Sequence, residues 1–161
     1  MSNCVFCEIL YGTAPAQEVY DGIATLGIVP LNPVTEGHVI FMPRKHVRDA
    51  LEEPRITAQV MDEVAAYAHH VRRTEQHEDF NIITSAGAEA TQTVFHLHIH
   101  LVPRRAGDDL ALPWDEPSRA RWETHEEQVS QVRRFMETNH VDGWVPVEDM
   151  AFILSGGATD V

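Results

Sequence analysis

Three histidines alternate with apolar residues in one short segment of the chain. His96, His98 and His100 lie two positions apart. The positions beside and between them are apolar: Phe95, Leu97, Ile99 and Leu101. Because successive side chains of a β-strand point to opposite faces, the pattern predicts a strand over 95–102 with the imidazoles on one face and the apolar residues in the core. Neighbouring imidazoles would start about 6.6 Å apart, close enough to converge on one phosphate or one metal ion. The alternative is an ordinary polar strand face.

Two cysteines near the beginning of the sequence form a second candidate site. Cys4 and Cys7 are the only cysteines of the chain. Their spacing allows a short turn to present both sulfurs to one ion, as in many structural zinc sites. A redox pair and two inert thiols are the alternatives at this point. A tetrahedral zinc site would require two further ligands.

Length and charge restrict the class of protein. The 161 residues correspond to one domain, with a net charge of −13 from 12 basic and 25 acidic residues. This charge argues against a general nucleic-acid binder or a protein that binds anionic membranes, since both need a positive surface. We see no secretion signal and no apolar stretch near the roughly 20 residues of a membrane span, so we expect a cytoplasmic protein.

The elements that would position these residues follow from periodicity. Strands are predicted over 17–20, 23–29, 38–42, 79–84 and 95–102, with Asp21 and Gly22 as a hairpin turn between the first two. Apolar residues at helical spacing predict a long helix over 55–77 and a weaker one over 118–138. The predicted fold is α+β: an antiparallel five-stranded meander with one long inserted helix and a C-terminal helix. We expect one domain over 1–140 and a tail of undefined structure over 141–161.

The sequence resembles the zinc-containing branch of the histidine-triad (HIT) superfamily of nucleotide hydrolases and transferases. The resemblance covers roughly residues 4–105 and rests on motifs that occur in the family's order. These motifs are Cys4-Val5-Phe6-Cys7-Glu8-Ile9, Gly37-His38-Val39-Ile40, Pro43-Arg44-Lys45-His46-Val47, Gln92-Thr93-Val94-Phe95 and the histidine triplet with Leu101-Val102. An ordered set of motifs is far more specific than any one of them.

The resemblance implies a role for each histidine of the site. His98 would attack the α-phosphorus of a nucleotide and form a covalent nucleotidyl-histidine that water then cleaves. His100 would hydrogen-bond a phosphate oxygen or the departing group, and His38 would complete the proton network. For His38 the alternative is a surface residue at the start of a strand. A second function, nucleotide binding or scaffolding with little turnover, stays open.

The resemblance also implies the substrate class and the groups that bind it. We expect a purine nucleotide conjugate, such as a nucleoside 5′-phosphoramidate or a dinucleoside polyphosphate, bound by a homodimer. The implied nucleotide-binding residues are Gln92, Thr93, Ser85 and Leu31. For Gln92 the alternative is a loop cap. Many family members have an acidic residue where Pro30 stands, and proline offers no side-chain acceptor for the ribose, so we expect altered sugar selectivity.

Within the resemblance, the missing ligands of the Cys pair are His46 and His96. A closed Cys2His2 site with structural Zn²⁺ would then join the beginning of the domain to two distant segments. In that case His96 is committed to the metal, and His98 and His100 are left for catalysis.

Overall fold

An antiparallel five-stranded sheet is the centre of the structure, a computed structural model that describes residues 4–74 and 79–112. In chain order the strands are β1 (Gln17–Asp21), β2 (Thr25–Val29), β3 (Val39–Pro43), β4 (Asp79–Ile83) and β5 (Ile99–Arg104). The helices are α1 (Val5–Leu10) and α2 (Pro54–Thr74), with a 3-10 turn at Ala88–Ala90. The predicted α+β class and the long inserted helix are confirmed. The helix predicted over 118–138 and the tail over 141–161 lie outside the described residues.

The order of the strands across the sheet is β1-β2-β3-β5-β4, and every neighbouring pair is antiparallel. The first three strands form a meander, as expected, but β5 lies between β3 and β4. Burial gives the physical reason. β3 is buried at every position and β5 at four of six, whereas β4 has only exposed and half-buried positions. The strand with more apolar surface to bury therefore occupies the interior of the sheet.

The two faces of the sheet have separate cores. Val39 and Phe41 of β3 pack with Val60 and Val64 of α2. The alternate residues of β3, Ile40 and Met42, belong to a second cluster. That cluster also contains residues of α1 and β2: Phe6, Ile9, Leu26 and Ile28. Because alternate residues of β3 point to opposite faces, this strand separates an α2 face from an α1 face, and His38, two residues before Ile40, lies at the end of the α1 face.

Each helix has a recognisable local basis. Pro54 occupies the first position of α2, where its fixed φ and missing N–H are tolerated. Val60, Val64 and Val71 form its buried stripe, and Arg72 and Arg73 lie in its last turn, where basic side chains are favourable. Helix α1 was not predicted from the sequence. It has only six residues, too few for a periodic pattern to be visible, although its buried Phe6 and Ile9 are three apart.

The β1–β2 hairpin is fixed to α2 by Glu63. Its carboxylate accepts a hydrogen bond of 2.9 Å from the backbone N–H of Ala24. A Cβ at Gly22 would overlap this carboxylate and approach the Tyr20 hydroxyl to 2.8 Å.

We therefore expect Gly22→Ala to lower the free energy of unfolding by about 1–3 kcal/mol through overpacking, measured by urea denaturation. In a Glu63→Ala background the same substitution should cost clearly less, because its main steric partner is gone. Equal costs in both backgrounds would show that the Glu63 contact is not the reason.

The chain divides into two compact units, Met1–Asp108 and Asp109–Val161. Of the second unit the structure describes only 109–112. The predicted boundary at residue 140 therefore stays a prediction. No helix in the described ranges has the length and apolar character that a membrane span would need.

Candidate functional site

The histidine triplet spans the entry to β5. The strand begins at Ile99, so His96 and His98 lie in the connection before it rather than in the predicted strand. The alternation nevertheless holds, because Leu97 belongs to the α2-face core while the rings of His96 and His98 both contact Phe6 of α1 edge-on. The three imidazoles thus lie on the α1 face.

Phe95 does not occupy the core position predicted for it. The backbone before the strand is irregular, with a hydrogen bond from the His96 N–H to the Val94 carbonyl (2.9 Å), so strand alternation does not extend back to Phe95. Its side chain is 42% exposed, and the Arg48 guanidinium lies 5.0 Å from the ring centroid. The prediction was wrong because it extended the strand past the point where ladder pairing begins.

A chain of hydrogen bonds fixes the tautomers of His38, His100 and His98. The Val34 N–H donates to Nδ1 of His38 (3.2 Å), so the ring proton of neutral His38 is on Nε2, which lies 2.9 Å from Nδ1 of His100. His38 therefore donates to His100, whose own proton is on Nε2. Nδ1 of His98 lies 2.7 Å from the His96 carbonyl, which can only accept. His98 consequently has its lone pair on Nε2.

The environment keeps the His38–His100 pair neutral. Burial lowers the pKa of His38, and burial together with the neighbouring His98 and His38 lowers the pKa of His100 to about 4. Both rings are therefore uncharged near pH 7. The ring centroids of His98 and His100 are 5.2 Å apart. The site combines an imidazole lone pair with a neutral N–H donor on the adjacent ring.

The low pKa of His100 predicts a loss of stability in mild acid. The unfolded chain takes up this proton below its ordinary pKa of 6.5 and the folded chain only near 4, so the contribution is complete above pH 6.5 and is lost as the pH falls towards 4. After allowance for solvent screening at a partly exposed ring, we expect an effect on the order of 2 kcal/mol. The measurement is the difference between the native chain and His100→Asn in urea unfolding from pH 7.5 to 4, because the contributions of the other ionisable groups are common to both proteins. Parallel pH curves for the two proteins would contradict the assignment.

Cys4, Cys7, His46 and His96 form one cluster. One ligand atom from each residue lies within 4.8 Å of all the others. The distance from Nδ1 of His96 to the sulfur is 3.5 Å for Cys4 and 3.6 Å for Cys7, and Cys7 Sγ lies 3.2 Å from Nδ1 of His46. Ligands of a tetrahedral zinc ion at usual bond lengths are about 3.6 Å apart. The donor set and its spacing therefore fit Zn²⁺ in a closed site.

The orientation of His96 also fits a metal ligand. Its Nε2 lies 3.0 Å from the Pro43 carbonyl, so Nε2 carries the proton and the Nδ1 lone pair points at the sulfurs. Such a second hydrogen bond commonly orients metal-binding histidines. Burial and the neighbouring Cys4 raise the pKa of Cys7 to about 11. Without a cation, Cys7 would stay a protonated thiol at neutral pH and would not itself act as an attacking thiolate.

The side chain of Gln92 hydrogen-bonds to backbone atoms of its own loop and of the segment after β3. Its Nε2 donates to the carbonyls of Arg48 (2.7 Å) and Val94 (3.1 Å), and its Oε1 accepts from the Gly87 N–H (2.8 Å). These contacts are those of a loop anchor, the alternative considered for this residue. A phosphate contact of Gln92 stays a prediction.

The other residues expected to bind the nucleotide belong to three different segments of the chain. Leu31 follows β2 and is 99% exposed. Thr93 is exposed at the edge of a cavity, and Ser85 is half-buried in the connection after β4. The structure brings together the triad and the Cys/His cluster. The roles of these three residues stay predictions.

Three residues around the site were not predicted from the sequence. Phe6 contacts two triad rings, with centroid distances of 5.9 Å to His96 and 5.3 Å to His98. The hydroxyl of Thr84 donates to the His98 carbonyl (2.7 Å). Arg48 lies over Phe95. Phe6 could have been found from its place in the Cys-Val-Phe-Cys motif, whereas nothing in the sequence distinguishes Thr84 or Arg48.

The fold and the grouped histidines define a class of protein, and the comparisons with known proteins agree. The HIT domain family matches residues 12–107. The chain therefore belongs to the histidine-triad (HIT) family. It is 33% identical over 111 residues to adenylylsulfatase HINT3 of Arabidopsis thaliana, an alignment that covers 68% of this chain and 56% of that protein. The chain thus spans little more than half the length of that relative.

Two solved structures support the same membership. A zinc-bound histidine triad family protein from Mycobacterium smegmatis is 37% identical, with a TM-score of 0.62 over 73% of this chain and 87% of that one. The protein SMU.412c from Streptococcus mutans UA159 is 29% identical, with a TM-score of 0.72 over 86% of each chain.

Proposed function

We propose that this chain is a nucleotide hydrolase or nucleotidyl transferase that acts at an α-phosphorus through His98. The substrate would be a nucleoside 5′-phosphoramidate, a nucleotidyl sulfate or a dinucleoside polyphosphate. The observation that carries the proposal is the Nδ1–H···O hydrogen bond from His98 to the His96 carbonyl, which leaves the Nε2 lone pair beside the neutral His38–His100 pair. A neutral imidazole in this tautomer is a competent nucleophile near pH 7.

The proposed reaction has two displacements at phosphorus. In the first, Nε2 of His98 bonds to the α-phosphorus and the leaving group departs with the bonding pair: a sulfate or phosphate leaves as an oxyanion, whereas a phosphoramidate nitrogen takes one proton from solvent and leaves as ammonia. His98 keeps its Nδ1 proton, so the nucleotidyl-imidazolium carries a positive charge. In the second, a water oxygen bonds to phosphorus, the N–P pair returns to Nε2, and a water proton passes to solvent. Splitting one difficult displacement into two easier steps is the benefit of covalent catalysis.

His100 and His38 would assist by donating hydrogen bonds rather than charge. Nε2–H of His100 would donate to a phosphoryl oxygen or to the departing atom, where negative charge increases in the transition state. His38 donates to Nδ1 of His100 and so keeps the His100 proton on Nε2. Because both pKa values are lowered, neither ring takes up the proton that would disrupt this arrangement near neutral pH.

We also propose a structural Zn²⁺ held by Cys4, Cys7, His46 and His96. The ion would bind two thiolates and two imidazoles and add stability rather than reactivity. The residues themselves would join α1 to the segment after β3 and to the entry of β5, and so position the His96 carbonyl that fixes the His98 tautomer. The zinc-bound M. smegmatis relative supports this assignment. A homodimer remains part of the proposal.

The second candidate function is nucleotide binding with little turnover. The engagement of Gln92 by backbone partners favours it, because that amide is then withdrawn from substrate. Incubation with adenosine 5′-phosphoramidate separates the two. An enzyme should release AMP at about 1 s⁻¹ or faster, the lower part of the usual range of kcat. Saturable AMP binding without release above the buffer rate would instead support the binding protein.

A further inference from the structure

A cavity of about 440 Å³ opens beside the Cys/His cluster. Its walls are the segment that leads into α1, the segment after β3 and the segment before β5. Cys4 and His46 of the cluster contribute to the lining, and so do Arg48, Thr93 and Phe95. We call this space the Arg48 cavity. It adjoins Thr93, which the family resemblance implies as a nucleotide-binding residue, but the mechanism above assigns the cavity no role.

Arg48 brings a positive charge to this cavity that is only weakly paired. Its Nε lies 3.7 Å from the Asp49 carboxylate, beyond hydrogen-bond distance, and its side chain is 62% exposed. By contrast, Arg104 and Arg105 bind their carboxylate partners at 2.6 Å and 2.9 Å. The Arg48 guanidinium therefore retains donors for a ligand. Arginine matches sulfate and phosphate oxygens well, because its planar donors can bind two oxygens at once.

The position of Arg48 is fixed from two sides. Its guanidinium lies over the Phe95 ring, 5.0 Å from the centroid, a cation–π distance. Its carbonyl accepts the 2.7 Å hydrogen bond from Gln92, whose amide also binds the Val94 carbonyl at 3.1 Å. Gln92 thereby joins the two walls that carry Arg48 and Phe95. A positioned donor costs less ordering on binding than a freely moving surface arginine.

The charge around the cavity favours an anion. The chain has a net charge of −13, yet no carboxylate side chain is among the residues that line the Arg48 cavity. The adjoining Cys/His cluster would add no net charge with Zn²⁺ bound, because two thiolates balance the ion. The Arg48 guanidinium is then the charged group that a ligand entering the cavity contacts.

We propose that the Arg48 cavity receives the leaving group of the substrate, that this group is a sulfate or phosphate oxyanion, and that Arg48 determines this specificity. The inference rests on the proposed function and narrows its substrate class. When Nε2 of His98 bonds to the α-phosphorus, the P–O bond to the leaving group breaks and its electron pair stays on the leaving oxygen. That oxyanion gains charge in the transition state and needs no proton, so a fixed guanidinium stabilises it. An amine released from a phosphoramidate carries no such charge.

The test compares three substrates on the full chain: adenosine 5′-phosphosulfate, diadenosine tetraphosphate and adenosine 5′-phosphoramidate. Arg48→Ala should lower kcat/KM for the first two by about 10- to 100-fold more than for the phosphoramidate, the effect of one lost hydrogen bond between charged groups. Arg48→Lys should restore part of the kcat/KM that Arg48→Ala loses selectively on the first two substrates. Phe95→Leu removes the ring below the guanidinium. It should lower kcat/KM for the first two substrates, relative to the phosphoramidate, by about two- to fivefold.

Lys45→Ala is the matched control. It removes the same charge from the same segment, but Lys45 binds Glu53 and does not line the cavity, so the substrate ratio should stay at the native value. Arg48→Gln, which keeps most of the side chain, replaces Arg48→Ala should the alanine variant unfold. If Arg48→Ala lowers kcat/KM equally for all three substrates, or changes none of the three values, this inference is wrong and the proposed function stands. Native protein that turns over none of the three overturns the proposed function and this inference with it.

Discussion

Replacement of His98 by alanine is expected to lower kcat by on the order of 10³-fold or more, because it removes the atom that bonds to phosphorus. Neither of the other two triad rings can take its place: Nδ1 of His100 accepts from His38, and Nδ1 of His96 points at the sulfurs of Cys4 and Cys7. The measurement is AMP release from adenosine 5′-phosphoramidate under saturating conditions.

Two further variants make this result interpretable. His98→Asn keeps an N–H that can donate to the His96 carbonyl, so it should fold like the native protein and yet lose turnover. His69→Ala removes an exposed histidine of α2 and should leave kcat unchanged within about twofold, as is usual for surface substitutions away from a site. Turnover by His98→Asn close to the native rate would mean that another group attacks the phosphorus.

Loss of the metal is expected to have the largest effect on stability. The cluster joins residues that are far apart in the sequence: Cys4 and His96 are separated by 92 positions, and Cys7 and His46 by 39. An ion at this point closes long loops and contributes directly to folding. We expect about one zinc per chain. A chelator should lower the stability by about 3 kcal/mol, which corresponds to a fall of about 10 °C in Tm.

Cys7→Ser provides the control for this experiment. It should lower the zinc content and Tm in the absence of chelator, and added chelator should then have little further effect. A chelator that lowers Tm equally in the native protein and in Cys7→Ser would be acting elsewhere. Native protein that contains no zinc, with both thiols titrating freely, would contradict the assignment of the cluster.

The parts of the site that could be predicted from the sequence are those set by local geometry. Alternate side chains share one face even before the hydrogen-bonded strand starts. The grouping of His96, His98 and His100 was therefore predicted correctly. The start of β5 was not, because it depends on pairing with β3 and β4. For the same reason the interior position of β5 was visible only in the fold.

Contacts between segments that are distant in the sequence could not be predicted from residue spacing. Cys-x-x-Cys spacing identified two ligand candidates, but His46 and His96 were selected by family resemblance, since their approach depends on the packing of the segments after β3 and before β5. The Arg48–Phe95 contact had no signal at all. An arginine after a strand and an aromatic residue before a histidine are both common, and only the folded chain brings them together.

The central claim is that His98 becomes covalently nucleotidylated. The most direct measurement is mass spectrometry of the native protein, mixed briefly with adenosine 5′-phosphoramidate and quenched in alkaline denaturant, since P–N bonds to histidine are labile in acid. We predict one adenylyl group, located on His98 by peptide fragmentation and absent from His98→Asn. AMP release without any adduct, or an adduct on His100 or another residue, would contradict the account.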